Sequence, residues 1–169
     1  MGGRTEGKMK RKMGKIEGKI EEKKKRKVMA TGVFDLLHIG HLYYLEEARK
    51  YGDELVVVVA CDETVKKKKH EPIMPAEERR KLVEALKPVD KAFIGYRDDF
   101  LRIVDEIKPH VVALGYDQHF EELEKELKKR GIKIVRCGKY NGDLNKTRKI
   151  IERIRKIGMK MKNEKNRNS

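Results

Sequence analysis

Leu55-Val56-Val57-Val58-Val59-Ala60 is an unbroken apolar run, bounded by Asp53-Glu54 before it and Asp62-Glu63 after it. A strand with one face in water alternates apolar and polar residues. A run without alternation is what a parallel strand covered on both faces requires. Working outward from it, strand and helix signals alternate along the chain. Val28 to Thr31 reads as a short strand that Gly32 stops, and Val89 to Ile94, Val111 to Leu114 and Ile132 to Arg136 read as three more. A helix from about Ile39 to Tyr51 carries Leu42, Leu45 and Ala48 on one face. Pro75 suits the first turn of the next helix, which carries Leu82, Val83 and Leu86. Asp98 and Asp99 are placed to cap a helix with Phe100, Leu101, Val104 and Ile107 inward. Phe120, Leu123 and Leu127 mark another, which Gly131 ends. The last runs from about Lys146 to Ile157, capped by Asn145, with Ile150, Ile151, Ile154 and Ile157 buried. Five strands alternating with five helices predict a single α/β domain with a five-stranded, parallel, doubly wound Rossmann-like sheet. In such sheets ligands sit beyond the C-terminal strand ends, where the strand order reverses. The residues after strands one, four and five are therefore the ones to read for chemistry.

The domain spans residues 27–157. Residues 1–26 mix Gly, Met, Lys and Arg with few large apolar side chains and are expected to form a basic, disordered extension, and 158–169 a basic, disordered tail. The 169 residues carry 43 Lys and Arg against 28 Asp and Glu, a net charge of +15. That excess suits phosphorylated substrates, nucleic acid or an anionic surface. Interleaved Lys and Glu also accompany heat adaptation, and much of the charge is assigned to that. No apolar run has the length of a membrane span and no secretory leader precedes the domain, so a cytoplasmic protein without a membrane partner is expected. Cys61 and Cys137 end strands two and five. With strands in the order 3-2-1-4-5 they stand roughly 14 Å apart, too far for a disulfide.

Gly32-Val33-Phe34-Asp35-Leu36-Leu37-His38-Ile39-Gly40-His41 follows strand one and opens the first helix. Gly32 permits a sharp turn and close approach of a ligand to the backbone. Free N–H groups in a first helical turn attract phosphate. His38 and His41, three apart, put two imidazoles on one face. The missing side chain of Gly40 is expected to leave room for a phosphate between them.

This stretch resembles the signature of the cytidylyltransferase-like superfamily of nucleotidyltransferases, and the resemblance covers essentially all of 27–157. It implies that His38 and His41 bind the triphosphate and stabilise the transition state at the α-phosphorus. The acceptor's phosphate attacks in line, pyrophosphate leaves, and no covalent enzyme intermediate forms. Such chemistry works by positioning and charge stabilisation.

Gly115-Tyr116-Asp117-Gln118 follows strand four, and Asp117 there suits a ribose hydroxyl, a base amino group or the cap of the next helix. Tyr140 to Lys149 follows strand five and opens the last helix, a second anion site with Lys146, Thr147 and Arg148 as donors. The superfamily usually has a Ser/Thr-rich motif ending in Arg here. Thr147 and Arg148 match it, and Asn145 and Lys146 depart from it. These two segments, with Pro88-Val89-Asp90-Lys91 and Glu78-Arg79-Arg80, are similar to those of archaeal FAD synthases, which adenylylate FMN. The resemblance implies ATP contacts from Val33, Phe34, His38, Ile39, Gly40, His41, Asp117, Tyr140, Lys146, Thr147 and Arg148. It implies acceptor contacts from Asp35, Arg79 and a lysine of the 66–69 loop, Lys66 standing for the four. A divalent cation, Mg²⁺ or similar, would accompany the triphosphate without a dedicated protein cage. Relatives are often dimers, so a homodimer is one expectation. The rival readings are a cytidylyltransferase acting on glycerol 3-phosphate or another phosphorylated acceptor, and a nucleic-acid-binding protein. The latter has no use for paired histidines at a helix start.

Overall fold

A computed structural model describes residues 25–68 and 71–167. Residues 1–24, most of the expected N-terminal extension, and Lys69 of the lysine run lie outside them. In chain order the elements are β1 (Lys27–Gly32), α1 (Ile39–Arg49), β2 (Glu54–Val59), α2 (Asp62–Lys68), α3 (Ala76–Glu84), β3 (Lys91–Ile94), α4 (Phe100–Ile107), β4 (Val111–Leu114), α5 (Glu121–Lys129), β5 (Lys133–Arg136) and α6 (Thr147–Arg167). The five strands form one parallel sheet in the order β3-β2-β1-β4-β5. The order reverses between β1 and β4, which are hydrogen-bonded neighbours although far apart in sequence.

The run that opened the reading is β2, and Leu55 to Val59 are all buried. Its side chains divide between two cores. Leu55, Val57 and Val59 pack with Val28, Ala30, Ala113, Leu45 and Ala48 of α1 and Val83 of α3. Val56 and Val58 pack on the opposite face with Met29, Val112, Ile103 and Val104 of α4 and Leu127 of α5. Each valine so buried is worth about 1.5–3 kcal/mol relative to exposure. Helices on both faces are what the missing alternation demanded.

Three expectations are corrected. The residues after β2 form a short helix, α2, so Lys66 to Lys68 of the lysine run are helical where a loop is expected. The last helix begins at Thr147, not Lys146, and continues past Ile157 to Arg167. Met, Lys, Arg and Glu propagate a helix well, and the one interior glycine, Gly158, costs only about 1 kcal/mol. The tail from 158 is thus helical as far as 167. On that helix Ile150 and Ile151 are half-buried, whereas Ile154 and Ile157, expected inside, are 60% and 52% exposed. Their spacing is right for an inward stripe, but among the described residues nothing covers them.

Candidate active site

The loop from β1 to α1 is built on two non-glycine residues with left-handed backbone, Phe34 at φ 54° and Leu36 at φ 53°. Asp35 between them is 4% exposed. Its carboxylate accepts hydrogen bonds from Ile73 N–H at 2.9 Å and Met74 N–H at 3.1 Å, and its carbonyl from Thr147 Oγ1 at 2.7 Å. Phe34 is buried, its ring 5.2 Å from that of His41.

His38 is the N-cap of α1. Its extended backbone at φ −142° lets Nδ1 accept the N–H of His41 at 3.3 Å. With Nδ1 accepting, the imidazole proton sits on Nε2, which is left to donate outward. Burial lowers the pKa of His38 from 6.5 and so supports the neutral ring that this bond requires. The rings of His38 and His41 stack, 3.7 Å apart and 17° from parallel. The spacing of the two histidines predicts their juxtaposition; the capping role of His38 goes unread, because histidine is not a usual cap.

Gly40 lies beside this pair, and its expected role is corrected. A Cβ there would stand 2.6 Å from the backbone oxygen of Asn145 and about as close to the His38 ring as a side chain ever comes, 3.0 Å from Nδ1. The space is taken by the loop between β5 and α6, not kept for a phosphate. Asn145 does not cap α6 either. It is 9% exposed, its Nδ2 donates to the Tyr140 carbonyl at 2.6 Å, and its Oδ1 is buried without a partner among the described residues. The first turn of α6 closes instead on the Lys146 carbonyl, which accepts from Lys149 N–H at 3.0 Å.

Arg79 is expected at the acceptor and is instead wholly buried. Its guanidinium donates to the carbonyls of Met74 at 2.9 Å, Val33 at 2.6 Å and Ala60 at 2.9 Å, and to Asp62 Oδ1 at 2.6 Å. It ties together the loops after β1 and β2 and the start of α3. The acceptor roles expected of Arg79 and Asp35 therefore give way to holding these loops, since their polar atoms are consumed inside the protein. Lys66 is exposed on α2, paired with Glu71 at 2.8 Å, and Lys67 pairs with Asp98.

Across the switch point the residues are open. The Lys146 ammonium lies 3.8 Å from Asp117 Oδ2 and 5.4 Å from the centre of the Tyr116 ring, and the Tyr116 hydroxyl raises its pKa. Asp117 is not a helix cap, because α5 starts after Phe120. Tyr140 packs its ring 5.6 Å from that of Tyr43. Arg148 is 89% exposed in its side chain and pairs with Glu152 at 3.1 Å. Val33 offers its carbonyl to Arg79, and Ile39 is exposed at the start of α1.

Two residues to which the sequence reading gives no role join this site, Tyr44 of α1 and Gln118 after β4. Both bond the backbone at the ends of β1 and β4. Cys137 is buried, and burial pushes its thiol up to about 11, so it is not a nucleophile at neutral pH. Among the described residues no group of three or more His, Cys, Asp or Glu side chains could hold a metal ion, and no helix is long and apolar enough to cross a membrane.

Compared with known proteins, residues 29–168 match the family model described as cytidylyltransferase-like. The chain is 57% identical over 133 residues to a FAD synthase of Aciduliprofundum boonei, covering 76% of this chain and 89% of that protein. It is 55% identical over 134 residues to a FAD synthase of Ferroglobus placidus, covering 76% and 88%. Among solved structures, one described as the lipopolysaccharide core biosynthesis protein of Thermoplasma volcanium is 49% identical. It superposes with a TM-score of 0.66 over 69% of this chain and 99% of that one.

Proposed function

The chain belongs to the cytidylyltransferase-like family, and from that premise we propose that it transfers AMP from ATP to FMN, giving FAD and pyrophosphate. The observation that carries the reading is the stacked His38–His41 pair at the start of α1, beside the switch point, in a chain 57% and 55% identical over 133 and 134 residues to two FAD synthases. A phosphate oxygen of FMN attacks the α-phosphorus of ATP, the bond to the bridging oxygen breaks, and pyrophosphate leaves with that oxygen. His38 contributes Nε2–H to the phosphate oxygens as their charge builds, held in that tautomer by the cap bond to His41 N–H. His41 lies against it on the first turn, where the backbone N–H groups of Ile39 and Gly40 add donors. Asp117 and Lys146 sit across the crevice for the nucleoside and the phosphates, Tyr140 lines it, and Thr147 and Arg148 open α6. A divalent ion would come to this site as a companion of the triphosphate, since the described residues offer no metal-binding group of their own, and would offset phosphate charge.

The deciding experiment is chromatography of reactions containing FMN, ATP and a divalent ion, with CTP and glycerol 3-phosphate in parallel and His41→Ala as control. FAD formed by the wild type and reduced about 10²–10³-fold in the variant is expected. Product only in the parallel reaction would transfer the assignment to a cytidylyltransferase.

A further inference from the structure

The sheet parts at one boundary only. Pairing of β1 with β4 runs Val28–Val111, Met29–Val112 and Ala30–Ala113, and stops. On their other sides β1 stays paired with β2 as far as Gly32–Val59, and β4 with β5 as far as Leu114–Arg136. The parting leaves backbone groups of Thr31, Ala113 and Gly115 facing one another without a ladder, and folded proteins do not leave such groups orphaned.

Two side chains serve all of them. The Tyr44 hydroxyl accepts from Thr31 N–H at 3.2 Å and donates to the Ala113 carbonyl at 2.8 Å. The Thr31 carbonyl is also 3.2 Å from that hydroxyl, but the phenol has one proton and the shorter contact takes it. The Thr31 carbonyl receives the Gln118 amide instead, at 3.0 Å, while Gln118 Oε1 accepts from Gly115 N–H at 2.8 Å. Burial raises the Tyr44 pKa, which keeps the phenol protonated and able to donate.

Each of the two is joined to a different half of the site. Tyr44 lies one turn beyond His41 on α1, and its ring stacks on Phe34, which in turn meets the His41 ring. Gln118 adjoins Asp117, and its own carbonyl is held by the Arg136 guanidinium. We infer that Tyr44 and Gln118 are positioning residues that hold the β1–β4 slot open for the nucleotide. Tyr44 acts through the histidine-bearing helix and Gln118 through the lip that carries Asp117. The inference rests on the reading of this crevice as the ATP site.

The test is ATP affinity by calorimetry, with kcat and KM for FAD formation, on Tyr44→Phe and Gln118→Ala well below their unfolding midpoints. Tyr51→Phe, which removes a phenol hydroxyl just beyond the far end of α1, is the control and keeps wild-type values. Gln118→Ala is expected to weaken ATP binding about tenfold, and Tyr44→Phe to lower kcat at saturating ATP about 10–100-fold through misplacement of His41. Variants that unfold earlier yet bind and turn over ATP as the wild type does would overturn the inference and leave the bonds a structural role. A wild type that binds ATP but makes no FAD would remove the acceptor assignment alone, and the ATP affinities of the two variants would then decide. Failure of the wild type to bind ATP would overturn both.

Discussion

The two walls of the crevice are built on opposite plans. On the β1–β2 side the polar groups are consumed internally: Arg79 donates four times inside the protein, and Asp35 accepts three times. On the β4–β5 side Asp117, Lys146 and Arg148 are exposed and held only by surface ion pairs, 3.8 Å for Lys146–Asp117 and 3.1 Å for Arg148–Glu152. Asp35 in the first βα loop and Arg79 on α3 look, in a sequence, like the charged residues that follow strands four and five. Burial separates them into a rigid wall that places the histidines and an open wall whose charges are available to a ligand.

The contrast can be broken most sharply at Arg79. Arg79→Met leaves three carbonyls and Asp62 without their donor, and a loss of about 3 kcal/mol in folding free energy is expected from denaturant titration. A loss below about 1 kcal/mol would mean that the wall is not held as described. Gly40→Ala comes next. Its methyl group meets the Asn145 backbone, so turnover should fall about 10²-fold through displacement of the loop against His38. Stability should fall by about 1–3 kcal/mol, the usual effect of overpacking. On the open wall the order inverts. Lys146→Ala should raise the KM for ATP about tenfold and leave stability within about 0.5 kcal/mol, and a fall in stability like that of Arg79→Met would erase the distinction. The smallest effect concerns pH. Burial lowers the folded pKa of His38 below 6.5, so the unfolded chain takes up the proton first. The contribution of the neutral ring is present above pH 6.5 and is lost as pH falls from there through the lower folded value. Denaturation midpoints of the wild type and His38→Ala should therefore converge as the pH is lowered from 8 to 5.

Much of this was legible in the chain. The apolar run at Leu55 implied a sheet covered on both faces, and the expected strand order places Cys61 and Cys137 far apart, as free thiols. The histidine pair declared itself by spacing, because its geometry is set within one helical turn. Arg79 and Asp35 did not, because their partners lie 5 to 112 positions away in sequence and only the fold brings them together. Tyr44 drew no reading of its own and Gln118 only one as part of a family motif; their work depends on where the sheet stops pairing, which no local pattern encodes. The last helix was misjudged at both ends for a related reason. Apolar spacing predicts a stripe, but whether a neighbour exists to cover it is a property of the whole fold.

The parting between β1 and β4 bears on how fast a nucleotide can be taken up. Four backbone groups that would otherwise zip the strands together are already engaged by side chains before any ligand arrives. With the nucleotide seated there as inferred, no strand has to peel away to admit it, and the disorder lost in shaping the slot is lost during folding, not at encounter. Association through such a preorganised opening is expected to be limited by diffusion and orientation, not by a slow conformational step.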